Sequence, residues 1–272
     1  MSTTPNYIFN EKTALPGLAG KYGIVTGASK GMGLVMAKLL VECGARVVIN
    51  GRDSRTVAKV SEDINAVYKN ATLPCEANTA NLEQVQQLFR KSRDWSGGKI
   101  DFLVCNAGYR LDEALWNTPL HKFTDQQIKK GFDKVREVDL DGARFCSREA
   151  LRTMVEQNSG CIVFISSTPA ITGYQGTPYT EAKAAILGLM RDIACEYAPS
   201  QIRANALALG NIRSGWYNYL NDNKKKELAL ESPAQRWGKM REVAGVVAFL
   251  VSDLAGFING QTLIVDGGKV IR

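Results

Sequence analysis

Short runs of apolar and β-branched residues alternate with longer stretches of helical period along most of the chain. The runs Tyr22–Thr26, Arg46–Asn50, Ala71–Leu73, Ile100–Cys105, Cys161–Ile165, Ile202–Leu207 and Thr262–Val265 are predicted strands. Helical pattern fills Leu34–Leu40, Ser54 to about Tyr68, Leu82–Phe89, Thr124–Met154, Pro178–Tyr197 and Val243–Val251. In the third of these, Leu82, Val85, Leu88 and Phe89 recur at helical spacing and define an apolar face. Cys161–Ile165 is apolar at every position, which is the mark of a strand buried on both sides.

Strands that alternate with helices in this way imply crossover connections and a parallel sheet. The expected fold is α/β: a single doubly wound, Rossmann-like domain with a parallel seven-stranded sheet and helices on both faces. Ligands of such sheets sit at the carboxyl ends of the strands, near the switch in strand order. No repeat or low-complexity linker divides the 272 residues. Residues 1–16 read as a polar lead-in, and 17–272 as the domain.

Composition removes several alternatives. Hydrophobic residues at 45% and charged residues at 22% describe a globular chain rather than a disordered one. The longest apolar-or-glycine run, Val243–Val251, falls far short of the ~18 residues a membrane span needs. The first 16 residues lack the apolar centre of a signal peptide. A single histidine, His121, would have to serve any Ser-His-Asp triad or His-containing zinc site, and it is read as a surface-loop residue without a role. The six cysteines include no C-x-x-C pair, so no metal ligands are expected, and buried free thiols fit a cytoplasmic protein. The net charge of +7 comes from dispersed Lys and Arg, apart from Lys224, Lys225 and Lys226, which read as a solvated helix face. No nucleic-acid or membrane partner is expected.

Candidate chemistry begins after the first strand, where residues 26–33 read Thr-Gly-Ala-Ser-Lys-Gly-Met-Gly. Gly27 permits a tight turn, Gly31 lets backbone approach a pyrophosphate, and Gly33 lets the next helix pack close to the sheet. The pyrophosphate would rest on the helix N-terminus. The second strand runs into Asn50-Gly51-Arg52-Asp53. Gly51 stands where an NAD site needs a carboxylate for the ribose 2′-hydroxyl, and Arg52 follows it. With Lys30 nearby, that guanidinium suits a 2′-phosphate and points to NADP(H). Asp53 keeps a competing reading, as a ribose ligand should the turn be one or two residues longer.

Tyr179 and Lys183 lie four apart on a predicted helix and so share a face. An ammonium beside a phenol makes tyrosine a usable proton donor and acceptor near neutral pH. Ser167 follows an apolar strand that would deliver its hydroxyl to the same cleft. Together with Thr26–Gly33, Asn106-Ala107-Gly108, Ile165-Ser166-Ser167, Arg236-Trp237-Gly238 and Val265–Gly268, the order and spacing resemble the short-chain dehydrogenase/reductases, from about Lys21 to Gly268.

The resemblance implies roles. Tyr179 would be the general acid in reduction, and Lys183 would hold the nicotinamide ribose and lower the phenol's pKa. Ser167, with Ser166 as the alternative one residue earlier, would orient the carbonyl. The implied cofactor set is Gly27, Ser29, Lys30, Gly31, Met32, Gly33, Arg52, Asn78, Asn106, Ala107, Gly108, Tyr179, Lys183, Gly210 and Ile212. Asn106 and Gly108 would brace the adenosine side, and Ile212 would close on the carboxamide.

Three positions depart from the family pattern. Asp139, in Asp139-Leu140-Asp141-Gly142, replaces the Asn that holds a proton-relay water, and it brings a negative charge near Lys183. Asn78 replaces an adenine-contacting Asp, and Leu209 replaces a proline before Gly210. Residues 211–236 form the expected substrate lid, whose Trp216, Tyr217, Tyr219 and Leu220 either line a pocket or anchor the loop. The expected function is NADP(H)-dependent reduction of a ketone to a secondary alcohol, or the reverse, on a small-molecule substrate. A 3-oxoacyl-thioester reductase is the narrower alternative. Gln157, Ser159 and Cys195 stand where an acidic carrier protein would need cations, which disfavours that partner. Asp139 also leaves open a weakly active NADP(H)-binding sensor. A homotetramer or homodimer is expected through the helices near 124–155 and 179–198, with Ala182, Ala185 and Gly188 allowing close approach.

Overall fold

The computed structural model describes residues 15–110, 113–174 and 176–271. Most of the 1–16 lead-in therefore lies outside the described residues. In chain order the elements are β1 (Tyr22–Val25), α1 (Gly31–Glu42), β2 (Arg46–Gly51), α2 (Ser54–Asn65), β3 (Thr72–Glu76), α3 (Leu82–Ser96) and β4 (Phe102–Cys105). There follow α4 (Glu113–Asn117), α5 (Asp133–Arg136), α6 (Gly142–Gln157), β5 (Gly160–Ser167), α7 (Pro169–Thr172) and α8 (Thr177–Glu196). The chain ends with β6 (Ile202–Leu209), α9 (Asp222–Leu230), α10 (Met240–Val251) and β7 (Thr262–Val265). The seven strands form one parallel sheet in the order β3-β2-β1-β4-β5-β6-β7.

Alternation along each strand feeds two cores. Val25, Val47, Ile49, Val104, Val163 and Ile165 face α1, α2 and α10, where they meet Met36, Leu40, Val57, Val243 and Val247. Their strand neighbours Ile24, Val48, Leu103, Ile162 and Phe164 face α3, α6 and α8, and meet Val85, Phe89, Cys146, Met154, Ile186 and Met190. A strand with apolar residues on both faces gains burial only if helices cover both sides, so this composition enforces the three-layer arrangement.

Three features differ from the pattern-based expectation. The helical region expected over 124–154 is broken by π-helical turns at Gln127–Phe132 and Glu137–Asp141, on either side of α5. Such a turn carries one extra residue and rotates the face that follows it. β3 begins one residue later than Ala71 and runs through Pro74 to Glu76, because β3 is an edge strand and tolerates a missing N–H. α4, α7 and α9 are too short for periodicity to mark them. Among the cysteines, five are buried as expected, whereas Cys195 is exposed. His121 is exposed in a 3₁₀ turn. No helix among the described residues is long and apolar enough to cross a membrane.

Gly23 shows how tightly β1 and β4 pack. A Cβ there would lie 2.3 Å from ring carbons of Phe102, a fully buried side chain. The substitution Gly23→Ala is expected to cost about 1–3 kcal/mol through overpacking, read as a lower urea midpoint at unchanged slope. Adding Phe102→Leu should recover part of the loss, and a double variant no better than the single one would refute the steric account.

Candidate active site

β1 and β4 are neighbours in the sheet but send their connections on to opposite faces, which opens a crevice at their carboxyl ends. Polar side chains fix its floor. Thr26 Oγ1 donates to the Val104 carbonyl at 3.2 Å and accepts from the N–H groups of Asn106 and Ala107, both at 2.9 Å. Asn106 Nδ2 returns a bond to the Thr26 carbonyl at 2.8 Å. Buried Asn50 donates to the carbonyls of Cys75 and Ala77 and accepts from Gly27 N. Sequence reasoning missed Thr26 and Asn50. The available signal was a lone polar residue at the end of an apolar strand, which must find partners once buried.

The glycine-rich turn follows directly. Gly27 has φ of +65°. A Cβ on Gly33 would lie 2.4 Å from the Gly27 carbonyl oxygen, so only glycine lets α1 start this close to the turn. The N-cap Lys30 makes no side-chain cap, and the first turn of α1 carries no acidic residue. Its free N–H groups and positive dipole end therefore remain for an anion. A Cβ on Gly51 would lie 2.8 Å from Ser29 Oγ and from Val57, so a side chain at the end of β2 requires those two to shift. Lys30 and Arg52 are exposed beside it, and neither makes an ion pair among the described residues. Asp53 caps α2, accepting from Thr56 N at 2.7 Å and from the Thr56 hydroxyl, and those bonds hold its carboxyl below the usual range. These features fit a dinucleotide.

The remaining expected cofactor residues have separate local partners. Asn78 Oδ1 accepts from Ala80 N at 3.2 Å. Met32 packs at the edge of the α1 core, and Ala107 joins the Thr26 bonds. Gly210 passes so close to β7 that a Cβ would lie 2.5 Å from Asp266. Ile212 is buried and bridges to Gly238, where a Cβ would meet its Cδ1.

The chemical groups converge from four elements. Tyr179 is half-buried in the first turn of α8, with Lys183 one turn on and its Nζ 5.6 Å from the Tyr179 ring centroid. Trp116 of α4 lies against the phenol, with centroids 5.7 Å apart. It was not anticipated, because α4 is too short to show a pattern. Ser166 is buried and donates to the Lys183 carbonyl at 2.8 Å, which spends its hydroxyl on holding α8 to β5. Ser167, half-buried at the strand end, donates to the Leu209 carbonyl at 3.2 Å.

Asp139 sits in the second π-helical turn and is fully buried. Its Oδ1 lies 2.7 Å from Lys183 Nζ and has no other partner among the described residues, while Oδ2 accepts from Tyr109 N at 2.6 Å. Lys183 Nζ also donates to the Ile165 carbonyl at 3.1 Å. Burial alone would lower the lysine pKa, but the Asp139 carboxylate, aided by Tyr179, outweighs it and holds the ammonium above its usual value. Burial pushes the neighbouring Cys105 thiol up to about 12, so it stays neutral.

Residues 211–236 contain a 3₁₀ turn at Gly215–Tyr219 and then α9. Tyr217 and Trp216 pack on Trp237, each at 4.9 Å, and Trp237 Nε1 donates to the Lys225 carbonyl, so these rings anchor the segment. Tyr219 stays exposed, with the Arg110 guanidinium 3.7 Å above its ring. The lysine run lies on α9, where Lys224 and Lys225 pair with Glu227 and Asp222.

Removing one member of a buried ion pair strands the other. Asp139→Ala is expected to lower stability by about 3–5 kcal/mol at neutral pH, read by urea unfolding. Because the folded Lys183 pKa is raised, the pair's contribution is fully present below the lysine's ordinary 10.5 and is lost as pH rises through the higher folded value. Wild-type and Asp139→Ala unfolding midpoints that coincide at pH 7 would sink this assignment.

Comparisons with known proteins agree with this geometry. Residues 27–269 match the family model described as enoyl-(acyl carrier protein) reductase. The chain is 34% identical over 255 residues to 3-oxoacyl-[acyl-carrier-protein] reductase FabG of Rickettsia prowazekii, covering 93% of this chain and 98% of that protein. It is 34% identical over 250 residues to the protein of that name from Staphylococcus aureus, covering 91% and 97%. A solved structure described as a putative gluconate dehydrogenase from Agrobacterium tumefaciens superposes with a TM-score of 0.85 at 30% identity, over 94% of this chain and 98% of that one. A putative short-chain alcohol dehydrogenase from Sinorhizobium meliloti gives 0.82 at 30% identity, over 93% and 97%. The chain belongs to the short-chain dehydrogenase/reductase family of oxidoreductases.

Proposed function

We propose that the protein reduces a ketone to a secondary alcohol with NADPH, with a 3-oxoacyl thioester as the narrower substrate class. The observation that carries this reading is the buried Lys183 ammonium beside the Tyr179 phenol, at the carboxyl end of the sheet and next to a dinucleotide cradle. Gly27, Ser29, Gly31, Gly33 and the α1 N-terminus would hold the pyrophosphate. Arg52 and Lys30 would hold a 2′-phosphate at the end of β2. When bound, the cofactor supplies the hydride to the carbonyl carbon.

The protein's own groups handle the oxygen. Ser167 turns its hydroxyl from the Leu209 carbonyl to the substrate carbonyl oxygen and orients it. Tyr179 passes its phenolic proton to that oxygen as negative charge develops there. Lys183 supplies the positive field and donates one N–H to the Ile165 carbonyl, which leaves its ammonium capacity for a ribose hydroxyl. Trp116, packed against the Tyr179 phenol, favours a flat or apolar substrate. Gln157 is spent on both backbone groups of Ile100, which supports a CoA ester or free ketone over an acidic carrier protein. Free thiols support a cytoplasmic site of action. Helices α6 and α8 would join subunits in a homotetramer or homodimer. Gly188 presents open space there, whereas Ala182 is already buried within the chain.

The test is NADPH oxidation against acetoacetyl-CoA, cyclic ketones, steroids, quinones and sugars, with NADH alongside. Tyr179→Phe is expected to lose about 10²–10⁴-fold in kcat/KM, and turnover that survives it intact would overturn the mechanism. NADPH binding with no turnover on any substrate would favour the sensor reading. Arg52→Ala should weaken NADPH binding about 10-fold, the equivalent of one charge-assisted contact, and leave NADH unchanged. Ser167→Ala should cost activity at unchanged KM for cofactor, and Ser166→Ala should cost stability instead; the reverse outcome would reassign the serine.

A further inference from the structure

Lys183 is a nearly buried lysine, with a side-chain exposure of 6%. Such a group normally sheds its proton, since a buried ammonium loses its hydration. Its neighbours are few. From the π-helical turn comes the Asp139 carboxylate at 2.7 Å, from β5 the Ile165 carbonyl at 3.1 Å, from its own helix the Tyr179 phenol, and from the end of β4 the neutral Cys105 thiol. Asp139 is the one fixed negative charge among them. It is held by the Tyr109 N–H, and Gly108 passes so close that a Cβ would lie 3.0 Å from Oδ1 and 3.6 Å from Nζ. This carboxylate touches the ammonium directly, with no atom between them.

We propose that Asp139 is the positioning residue that keeps Lys183 charged in its nearly buried site, and that it thereby sets the alkaline limit of the Tyr179–Lys183 pair. The inference rests on the reading that Tyr179 and Lys183 carry the reaction. Reduction requires the phenol protonated and the lysine cationic. A fixed negative charge in contact with the ammonium opposes loss of its proton, and with Asp139→Asn that proton leaves at lower pH. The same substitution strands Lys183 as a buried cation without a counter-charge, which depresses its folded pKa below the unfolded value of 10.5. Stability of the variant then rises with pH through that depressed value, because the folded chain sheds the unfavourable proton first. Wild type shows no such rise from this group, since its folded lysine keeps the proton longer than the unfolded chain does.

Two measurements test this, and the first needs neither cofactor nor substrate. Urea midpoints of wild type and Asp139→Asn are compared from pH 7 to pH 10. The gap between them is expected to narrow by at least half across that range, and a constant gap overturns the inference. Should the single variant not fold, Asp139→Asn combined with Lys183→Met removes the stranded cation. That double variant is expected to fold, and one that stays unfolded also overturns the inference. The second measurement is the pH profile of acetoacetyl-CoA reduction, with binding of the reduced nicotinamide cofactor followed by its fluorescence. The alkaline limb is expected to move down by about one pH unit in Asp139→Asn, and limbs that coincide mark Asp139 as structural only. A protein that shows the narrowing gap but reduces no ketone retains the charge-holding role and loses the proposed reaction.

Discussion

Thr26 ties the ends of β1 and β4 together with one donated and two accepted hydrogen bonds, and Asn106 returns a fourth to the Thr26 carbonyl. The rest of the site depends on that join. The two strands must lie side by side while their connections go to opposite faces, so no helix covers the crevice between their ends. Buried polar groups of this kind hold position because leaving any of them unpaired would cost about 1–3 kcal/mol each. From this fixed floor the glycine turn rises on one side and the loop carrying Gly108 and Tyr109 on the other. The distances available to a ligand are thus set by backbone rather than by mobile side chains.

The second constraint is electrostatic. Lys183 sits at the carboxyl end of the sheet, bonded to the Ile165 carbonyl and nearly buried, so its ammonium has lost most of its hydration. Its charge is tolerated because Asp139 meets it there. The carboxylate can do so because the π-helical turn Glu137–Asp141 rotates position 139 inward where a continuous α-helix from 124 would run differently. Buried ion pairs contribute little net stability against a well-packed apolar alternative. Here the pair holds its charge 5.6 Å from the Tyr179 ring centroid.

Much of this was legible in the sequence. All seven strands and the large helices follow from apolar runs and periodicity, because parallel strands buried on both faces leave an unmistakable apolar signature. The tight turn at Gly27 and the close helix approach at Gly33 were readable from position alone, because both are backbone features. The choice between Ser166 and Ser167 was left open by the sequence. It needed the structure, since one residue along a strand reverses the face, and only the bond from Ser166 to the Lys183 carbonyl shows which face each takes. Trp116 left no trace because it lies on a helix too short to have a period, whereas Asn50 was readable only as a lone polar residue closing an apolar strand. The contact between Asp139 and Lys183 was anticipated as proximity but not as a direct pair, because the π-helical turns leave no periodic trace.

The crowded end of β2 has a consequence for how this chain can change. Gly51 is hemmed in by Ser29 of the glycine turn and Val57 of α2, where a Cβ would come within 2.8 Å of each side chain. Any larger residue at the end of β2 therefore has to be accompanied by movement of Ser29 or Val57, so positions 29, 51 and 57 are bound to change together rather than one at a time.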